Sequence, residues 1–317
     1  MHSRQLRKII TGNIEIIKQD IQKGNFTVRV SGLSDASEIQ DVRFAVWSVV
    51  GGQDDLTWMI TSENKEGSYE MKVNLSDHKY AVGKYLIDVY AVLNSGEQVG
   101  IGSTECNMDI ESSELEIKEK DDGQYTFTLD KVVVPGGEDA ILFAVWSEQG
   151  GQDDLVWYNA SLNKEGVYQY NWNVKNHKGL GKYNVHVYVR TKGNETKGLG
   201  AFEFNIATPS IGDIEIEDIN VKKGQFKVAV SNVSNSELVK EIMIPVWSEQ
   251  GGQDDLVWYG AEKTDDGRYE LQVDIKNHKY TDGLYNIHAY ITDITGYQYF
   301  SASTECVMQA EKWKDSD

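Results

Sequence analysis

One motif occurs three times in the chain and constrains its fold more than any other feature. The copies begin at Phe44, Phe143 and Ile244, and each sets two tryptophans on either side of a Gly-Gly-Gln-Asp-Asp segment. The first tryptophans of successive copies are spaced by 99 and then 101 residues. A period this regular indicates tandem domains. The 317 residues therefore predict three domains, each of a size that can bury its own core.

The domain boundaries follow from matching the three copies. We predict a leader over residues 1–12, repeat 1 over 13–110, repeat 2 over 111–208, repeat 3 over 209–309 and a tail over 310–317. The linkers between repeats are short, and Pro209 stiffens the second one. We therefore expect a row of closely joined domains with a loose tail.

Alternation of apolar and polar residues predicts strands in every repeat, as at residues 125–129 and 141–145. A Gly-x-Tyr step opens a later strand of each repeat, at Tyr85, Tyr183 and Tyr285, and is the sequence form of a tyrosine corner. Turn signals are frequent, and helical periodicity is weak. We therefore predict an all-β chain of three tandem immunoglobulin-like antiparallel β-sandwich domains.

Two of these strands should bring aromatic side chains to one outer face. If the tryptophan strand pairs with the Gly-x-Tyr strand, Trp146 meets His186 and Tyr188 on the side away from the core. Flat rings cover the apolar face of a sugar, while imidazole and carboxylate groups bond its hydroxyls. The pattern therefore predicts a carbohydrate-binding surface. The alternative is a core role for Trp146, since a one-residue bulge would turn it inward.

Other positions of the motif admit more than one interpretation. Asp153 is favoured as a turn former, and Asp154 either contacts a ligand or caps the turn. Alternation leaves the direction of Trp157 open, whereas the place of His177 before the corner favours a structural role. Pro245 lacks a backbone donor, so we expect its strand to lie at a sheet edge or to have a bulge at this residue.

Composition argues against several classes of partner. The chain has 50 acidic and 31 basic residues, and its formal charge of −19 repels nucleic acid and anionic lipid. No run approaches the roughly 18 apolar residues of a membrane span, and residues 1–10 lack the apolar stretch of a signal peptide. We expect neither a nucleic acid nor a membrane as partner.

We also expect no catalysis, metal or cofactor. Adjacent aspartates in one strand point to opposite faces, whereas glycosidase carboxylates converge at about 5 to 9.5 Å. Gln-Asp-Asp offers too few oxygens for calcium, and no zinc, phosphate or nucleotide motif is present. Cys106 and Cys306 occupy equivalent positions where repeat 2 has Phe204, which predicts small buried residues and no disulfide.

The long motif VWSEQGGQDDLVWY, followed by the Gly-x-Tyr strand, resembles the GBS Bsp-like repeat of streptococcal secreted proteins and cell-wall hydrolases. All three repeats match it. The resemblance implies a non-catalytic, wall-targeting module that is secreted or associated with the cell wall. It also implies a rhamnose-rich bacterial cell-wall polysaccharide as ligand, and a peptidoglycan hydrolase domain outside this chain as a further partner.

Carried over residue by residue, the resemblance places ligand-binding residues in repeats 2 and 3. In repeat 2 they are Trp146, Asp153, Asp154, Trp157, Tyr158, His186 and Tyr188. In repeat 3 they are Trp247, Asp254, Asp255, Trp258, Tyr259, His288 and Tyr290. Repeat 1 departs from the pattern at Val49, Val50, Thr57, Met59 and Asp88. The resemblance therefore does not extend the binding site to repeat 1.

The preferred hypothesis is a multivalent carbohydrate-binding protein, in which weak sites add up along a repetitive polymer. The alternative is an adhesin or structural spacer rod whose ligand is a protein. An enzyme is the third and least favoured hypothesis.

Overall fold

The computed structural model describes residues 8–50, 52–62, 66–121, 123–149 and 151–309. The predicted tail and most of the leader lie outside these residues. Within the described part of the chain, no helix is long and apolar enough to cross a membrane.

Strands and short 3-10 helices make up the regular structure of all three repeats. The strands of repeat 1 are β1 (Asn13–Asp20), β2 (Asn25–Ser31), β3 (Ile39–Ser48), β4 (Thr57–Thr61), β5 (Tyr69–Asn74), β6 (Gly83–Leu93) and β7 (Gln98–Met108). Those of repeat 2 are β8 (Glu111–Ser112), β9 (Glu116–Asp121), β10 (Gln124–Leu129), β11 (Val132–Val133), β12 (Glu138–Ser147), β13 (Val156–Asn159), β14 (Ser161–Leu162), β15 (Tyr168–Asn173), β16 (Gly181–Thr191) and β17 (Thr196–Ile206).

The strands of repeat 3 are β18 (Asp213–Asn220), β19 (Gln225–Ser231), β20 (Val239–Ser248), β21 (Val257–Gly260), β22 (Glu262–Lys263), β23 (Tyr269–Asp274), β24 (Gly283–Asp293) and β25 (Gln298–Met308). The 3-10 helices are Ala36–Glu38, Gly52–Asp55, Leu75–His78, Gly151–Asp154, Val174–Asn176, Ser236–Leu238, Gln253–Asp255 and Ile275–His278.

Each repeat folds as two antiparallel sheets around one core. The first sheet is β1-β2-β5 in repeat 1, β9-β10-β15-β14 in repeat 2 and β18-β19-β23-β22 in repeat 3. The second is β4-β3-β6-β7, β13-β12-β16-β17 and β21-β20-β24-β25 in the same order, and β8 pairs with β11 as a small addition to repeat 2. The predicted all-β fold of three tandem immunoglobulin-like sandwiches is confirmed.

The cores consist of the apolar side chains that face inward from both sheets. In repeat 2 the rings of Phe127 and Phe143, which belong to opposite sheets, pack edge to face at 5.6 Å. Trp172, only 1% exposed, stacks on Phe127 at 5.7 Å and meets Tyr183 at 5.0 Å. Burial of these large rings is the main stabilising contribution to the repeat.

The predicted tyrosine corners are present in all three repeats. The hydroxyl groups of Tyr85, Tyr183 and Tyr285 each donate a hydrogen bond to the backbone carbonyl four residues earlier. The acceptors are Ala81, Gly179 and Thr281, at 2.7, 2.6 and 2.6 Å. Cys106 and Cys306 are buried free thiols, as predicted.

The expectation for Pro245 is wrong. Its strand, β20, lies between β21 and β24, and the register shift in its pairing with β24 falls between Val239 and Glu241. The pairing is interrupted at Ile244 and Pro245 and resumes at Val246 in unchanged register. Backbone hydrogen bonds between the strands are lost only next to the proline, and both neighbouring strands stay in place. An interior strand of the sheet therefore tolerates the proline.

Neighbouring repeats contact each other end to end. At the junction of repeats 1 and 2, the amide of Gly136 donates to the carbonyl of Ile21 at 3.1 Å. A Cβ atom on Gly136 would lie 3.0 Å from the ring of Tyr80, and one on Gly193 would collide with the carbonyl oxygen of Lys79. Repeat 1 contributes a glycine too, since a Cβ atom on Gly24 would lie 2.7 Å from the Cα atom of Gly136.

The junction of repeats 2 and 3 is built differently. The amide of Gly179 in repeat 2 donates to Oγ1 of Thr295 in repeat 3 at 2.7 Å. Ile294 of repeat 3 packs against the core of repeat 2, and a Cβ atom on Gly123 would lie 2.9 Å from its Cδ1 atom. Here the preceding repeat supplies the small residues.

Candidate functional site

The outer face of the sheet β13-β12-β16-β17 carries the aromatic residues of the motif. Ala144 of β12 lies opposite Trp157 of β13 on one side and opposite His186 of β16 on the other. Trp146 and Tyr188 lie two residues beyond Ala144 and His186, so all four aromatic side chains share this face. The structure thus places Trp146 on the outer face, in agreement with strand alternation, and resolves the direction of Trp157 as outward.

These four rings form a continuous arc, which we call the aromatic face of repeat 2. Ring centroids are 5.1 Å apart for Trp157 and Tyr188, 6.3 Å for Tyr188 and His186, and 4.7 Å for His186 and Trp146. Ala144 beneath them is 2% exposed, whereas Trp157 is 49% exposed. The rings therefore cover the sheet and present the indole of Trp157 to solvent.

Repeat 3 has an aromatic face of the same construction. The centroids of Trp258 and Tyr290 are 5.1 Å apart, those of Tyr290 and His288 6.5 Å, and those of His288 and Trp247 4.7 Å. Phe300 of β25 extends the arc, at 5.3 Å from His288 and 5.7 Å from Tyr290, where repeats 1 and 2 have glycine. The face of repeat 3 is therefore larger than that of repeat 2.

Repeat 1 keeps part of the arc. Trp58, 52% exposed, lies 5.5 Å from Tyr90, and Trp47 is half-buried on the same face. Asp88 stands opposite Ala45, at the position where the other repeats have histidine. Repeat 1 thus retains the exposed indole but has a carboxylate in place of the imidazole.

The second aspartate and the tyrosine of the motif point into the sandwich. Oδ1 of Asp154 accepts from the amide of Ser147 at 2.9 Å, and its Oδ2 lies 3.3 Å from Nδ1 of His177. Nε2 of His177 accepts from the indole N–H of Trp172 at 3.1 Å and lies 2.9 Å from the hydroxyl of Tyr158. This hydrogen-bonded cluster joins the turn of the motif to the core.

Electrostatics fix the protonation of this cluster. Burial lowers the pKa of His177 below its ordinary value, although Asp154 acts in the opposite direction. The imidazole is therefore neutral at pH 7, with its proton on Nδ1 toward Asp154. Burial also raises the pKa of Tyr158 to about 12, so its hydroxyl stays protonated. The cluster is a structural support of the repeat.

Repeat 3 contains the equivalent inner cluster. Asp255, 6% exposed, accepts from the amide of Ser248 at 2.9 Å and from its hydroxyl at 2.6 Å. The hydroxyl of Tyr259 lies 2.9 Å from Nε2 of His278, and burial lowers the pKa of that histidine. The tyrosine–histidine contact is thus the same in both repeats. The histidine–aspartate contact differs, because Nδ1 of His278 lies 3.0 Å from the backbone carbonyl of Asp255 instead of its carboxylate.

The first aspartate of each pair remains at the surface. Asp153 is exposed and makes no hydrogen bond or ion pair with the described residues, whereas Asp254 pairs with Lys279 at 2.7 Å. Both aspartates of repeat 2 lie in the 3-10 helix Gly151–Asp154, which connects β12 and β13. Within the described residues, no cluster of three or more His, Cys, Asp or Glu could hold a metal ion.

The predicted binding residues therefore separate into an inner and an outer group. The outer group comprises Trp146, Trp157, His186, Tyr188, Trp247, Trp258, His288 and Tyr290, with Asp153 and Asp254 on the adjoining turns. The inner group comprises Asp154, Tyr158, Asp255 and Tyr259, whose polar atoms contact groups within their own repeats. Their binding role stays a prediction. Phe300 belongs with the outer group and was not predicted.

The paired sheets and the recurring outer face define a class, that of tandem β-sandwich repeat proteins. The model of the GBS Bsp-like repeat matches residues 15–106, 114–204 and 215–306. The chain therefore belongs to the GBS Bsp-like repeat family. No curated protein matches it.

Several solved structures are similar to this chain at low sequence identity. The tetra-tandem repeat in the extending region of a large adhesion protein is 14% identical, over 95% of this chain and 74% of that one, with a TM-score of 0.34. A two-domain fibronectin type III segment of chicken tenascin is 12% identical, over 63% and 99%, with a TM-score of 0.30. A 1.5-MDa bacterial ice-binding adhesin is 10% identical, over 95% and 98%, with a TM-score of 0.27.

Proposed function

We propose that this chain is a non-catalytic module that binds a neutral polysaccharide of the bacterial cell wall through the aromatic faces of repeats 2 and 3. One observation carries the proposal: both faces contain the same four residue types, and the Trp–Tyr and Trp–His centroid distances are the same, 5.1 and 4.7 Å. The candidate polymer is the rhamnose-rich streptococcal polysaccharide that the resemblance of the motif implies.

The composition of the face suits a neutral sugar. The exposed indoles of Trp157 and Trp258 offer flat apolar surfaces on which a pyranose can stack. His186 and Tyr188, whose Nδ1 and hydroxyl lie 3.4 Å apart, supply groups that can donate to or accept from hydroxyls. The net charge of −19 favours a neutral chain over a polyanion.

Two faces in one chain also suit a repetitive polymer. Each face is open and shallow, so a single site should bind weakly. Joining two sites makes the second binding event intramolecular and can raise the overall affinity by roughly 10²–10⁴ without any new contact. Such a module would hold an associated peptidoglycan hydrolase domain at the wall, outside the cell.

The test is co-sedimentation of the chain with purified streptococcal walls, with and without their rhamnose polysaccharide. The double variant Trp157→Ala, Trp258→Ala should lose at least about tenfold in wall binding, because it removes both stacking surfaces. Tyr280→Ala is the control, since this ring of repeat 3 is 65% exposed but lies outside the aromatic face. The control variant should bind the walls as strongly as the unmodified chain does.

Two results would contradict the proposal. One is undiminished sedimentation with walls that lack the rhamnose polysaccharide. The other is undiminished sedimentation of the double variant, with circular dichroism showing that it is folded.

A second candidate function is that of a spacer rod. It is favoured by the end-to-end contacts at both junctions, such as the hydrogen bond from Gly179 to Thr295. A spacer would keep its extended length in solution and would ignore competing wall sugars. Small-angle scattering of the chain, combined with the sedimentation experiment, distinguishes a rod that binds walls from a rod that does not.

A further inference from the structure

The outer face of repeat 1 differs from the other two at one chemically decisive position. Ala45 of β3 lies opposite Trp58 on one side and Asp88 on the other, so indole and carboxylate flank the same small residue. Tyr90 follows Asp88 by two residues on the same face, and its ring lies 5.5 Å from Trp58. A negative charge thus stands among aromatic rings where repeats 2 and 3 carry imidazole.

The carboxylate of Asp88 is half-buried and makes no hydrogen bond or ion pair with any described residue. The basic side chains of the same face are engaged elsewhere. Arg43 contacts Asp41 at 3.2 Å, and Lys84 contacts Glu105 at 3.0 Å. Partial burial reduces solvent screening of the unpaired charge, so a cation brought beside it would be attracted more strongly than at a fully exposed carboxylate.

We propose that the face formed by Trp47, Trp58, Asp88 and Tyr90 binds an organic ammonium group. A cation over the face of an indole or phenol ring is attracted by the ring quadrupole. The carboxylate supplies the opposite charge on the same surface. Inorganic cations gain less here, since the face offers one carboxylate and mostly apolar area for a strongly hydrated ion.

Two sources present this chemistry, the protonated amine of an amino sugar and a quaternary ammonium headgroup. Glucosamine and choline represent them. N-acetylglucosamine is the neutral counterpart of glucosamine, and sodium chloride at equal concentration controls for ionic strength.

The experiment follows the indole N–H signals of the intact ¹⁵N-labelled chain by NMR. The variants Trp47→Phe and Trp58→Phe assign the two signals of repeat 1. We expect a saturable shift of the Trp58 signal with glucosamine, choline or both, and no saturable shift with N-acetylglucosamine or sodium chloride. The signals of Trp157 and Trp258 should not respond to the ammonium ligands at the same concentrations.

Substitutions at the carboxylate then test its role. Asp88→Asn should weaken ammonium binding at least about tenfold, and Asp88→His, which copies repeats 2 and 3, should do the same. The reciprocal variant His186→Asp should make the Trp157 signal respond. The remaining amide spectrum reports whether each variant is folded.

The proposal is overturned if neither ammonium ligand gives a saturable shift at Trp58. It is also overturned if N-acetylglucosamine acts as strongly as glucosamine, or if both Asp88 variants keep full affinity. A response to choline alone assigns a quaternary headgroup, and a response to glucosamine alone assigns an amino sugar. Failure here leaves the wall-binding proposal standing, because that proposal depends on Trp157 and Trp258.

Discussion

The inner and outer sides of repeat 2 use the same residue types for opposite purposes. Inside, Trp172 is 1% exposed, and its indole N–H donates to Nε2 of His177. The hydroxyl of Tyr158 contacts the same nitrogen atom. Outside, Trp157 is 49% exposed and packs against Tyr188 beside a histidine. Residue type therefore does not identify a binding group. What separates the two sides is whether the polar atoms and ring faces already have partners within the repeat.

The largest effect should come from the inner tryptophan. Trp172→Ala should lower the unfolding free energy of repeat 2 by about 3–5 kcal/mol, because a large buried ring leaves a cavity. Trp157→Ala, the matched outer substitution, should change it by no more than about 0.5 kcal/mol. Differential scanning calorimetry of both variants measures the shift of the repeat 2 transition. A similar loss in both would show that the outer ring is part of the core.

The paired aspartates offer a second test. Asp154→Ala removes the acceptor of the Ser147 amide and the partner of His177, so the unfolding free energy should fall by about 1–3 kcal/mol. Asp153→Ala should have almost no effect on stability, since this side chain is exposed. Urea unfolding followed by tryptophan fluorescence compares the two. Equal losses would contradict the inward role of Asp154.

A smaller effect should appear on acidification. Burial lowers the pKa of His177 and of His278 in the folded chain, so below their ordinary value of 6.5 the unfolded chain binds more protons than the folded one. Stability should thus decrease as the pH falls from about 6.5 toward the folded pKa. His177→Gln should be less stable at pH 7.5 but lose less between pH 7.5 and 5. An unchanged pH dependence in His177→Gln would show that this histidine does not cause the loss of stability.

The features that could be predicted from the sequence are those that recur at a regular spacing. The repeat period gave three sandwiches, Gly-x-Tyr gave the tyrosine corners, and alternation placed Trp146, His186 and Tyr188 on one outer face. Strand alternation suffices there because β12 and β16 are long and pair without a shift at these residues.

The directions of other side chains could not be predicted, because a turn or a bulge interrupts the alternation of inward and outward residues. Trp157 lies in a four-residue strand that follows a 3-10 helix, so its direction could not be derived from the preceding strand. Phe300 should face inward if alternation continued unbroken from Cys306, but a register shift between Ala289 and Tyr290 of the partner strand turns it outward. The inward direction of Asp154 likewise depends on contacts with His177, a residue distant in sequence.

The contrasting junctions also determine how the domains can be arranged along the chain. Tyr80 at the end of repeat 1 fits the glycines of repeat 2, whereas Gly179 at the end of repeat 2 fits Thr295 of repeat 3. If repeat 3 followed repeat 1 directly, Thr295 would face Tyr80. Two larger side chains would then meet where each existing junction has a glycine on one side. The domains share a fold but are not interchangeable. The chain thus encodes the order of its domains as well as their number.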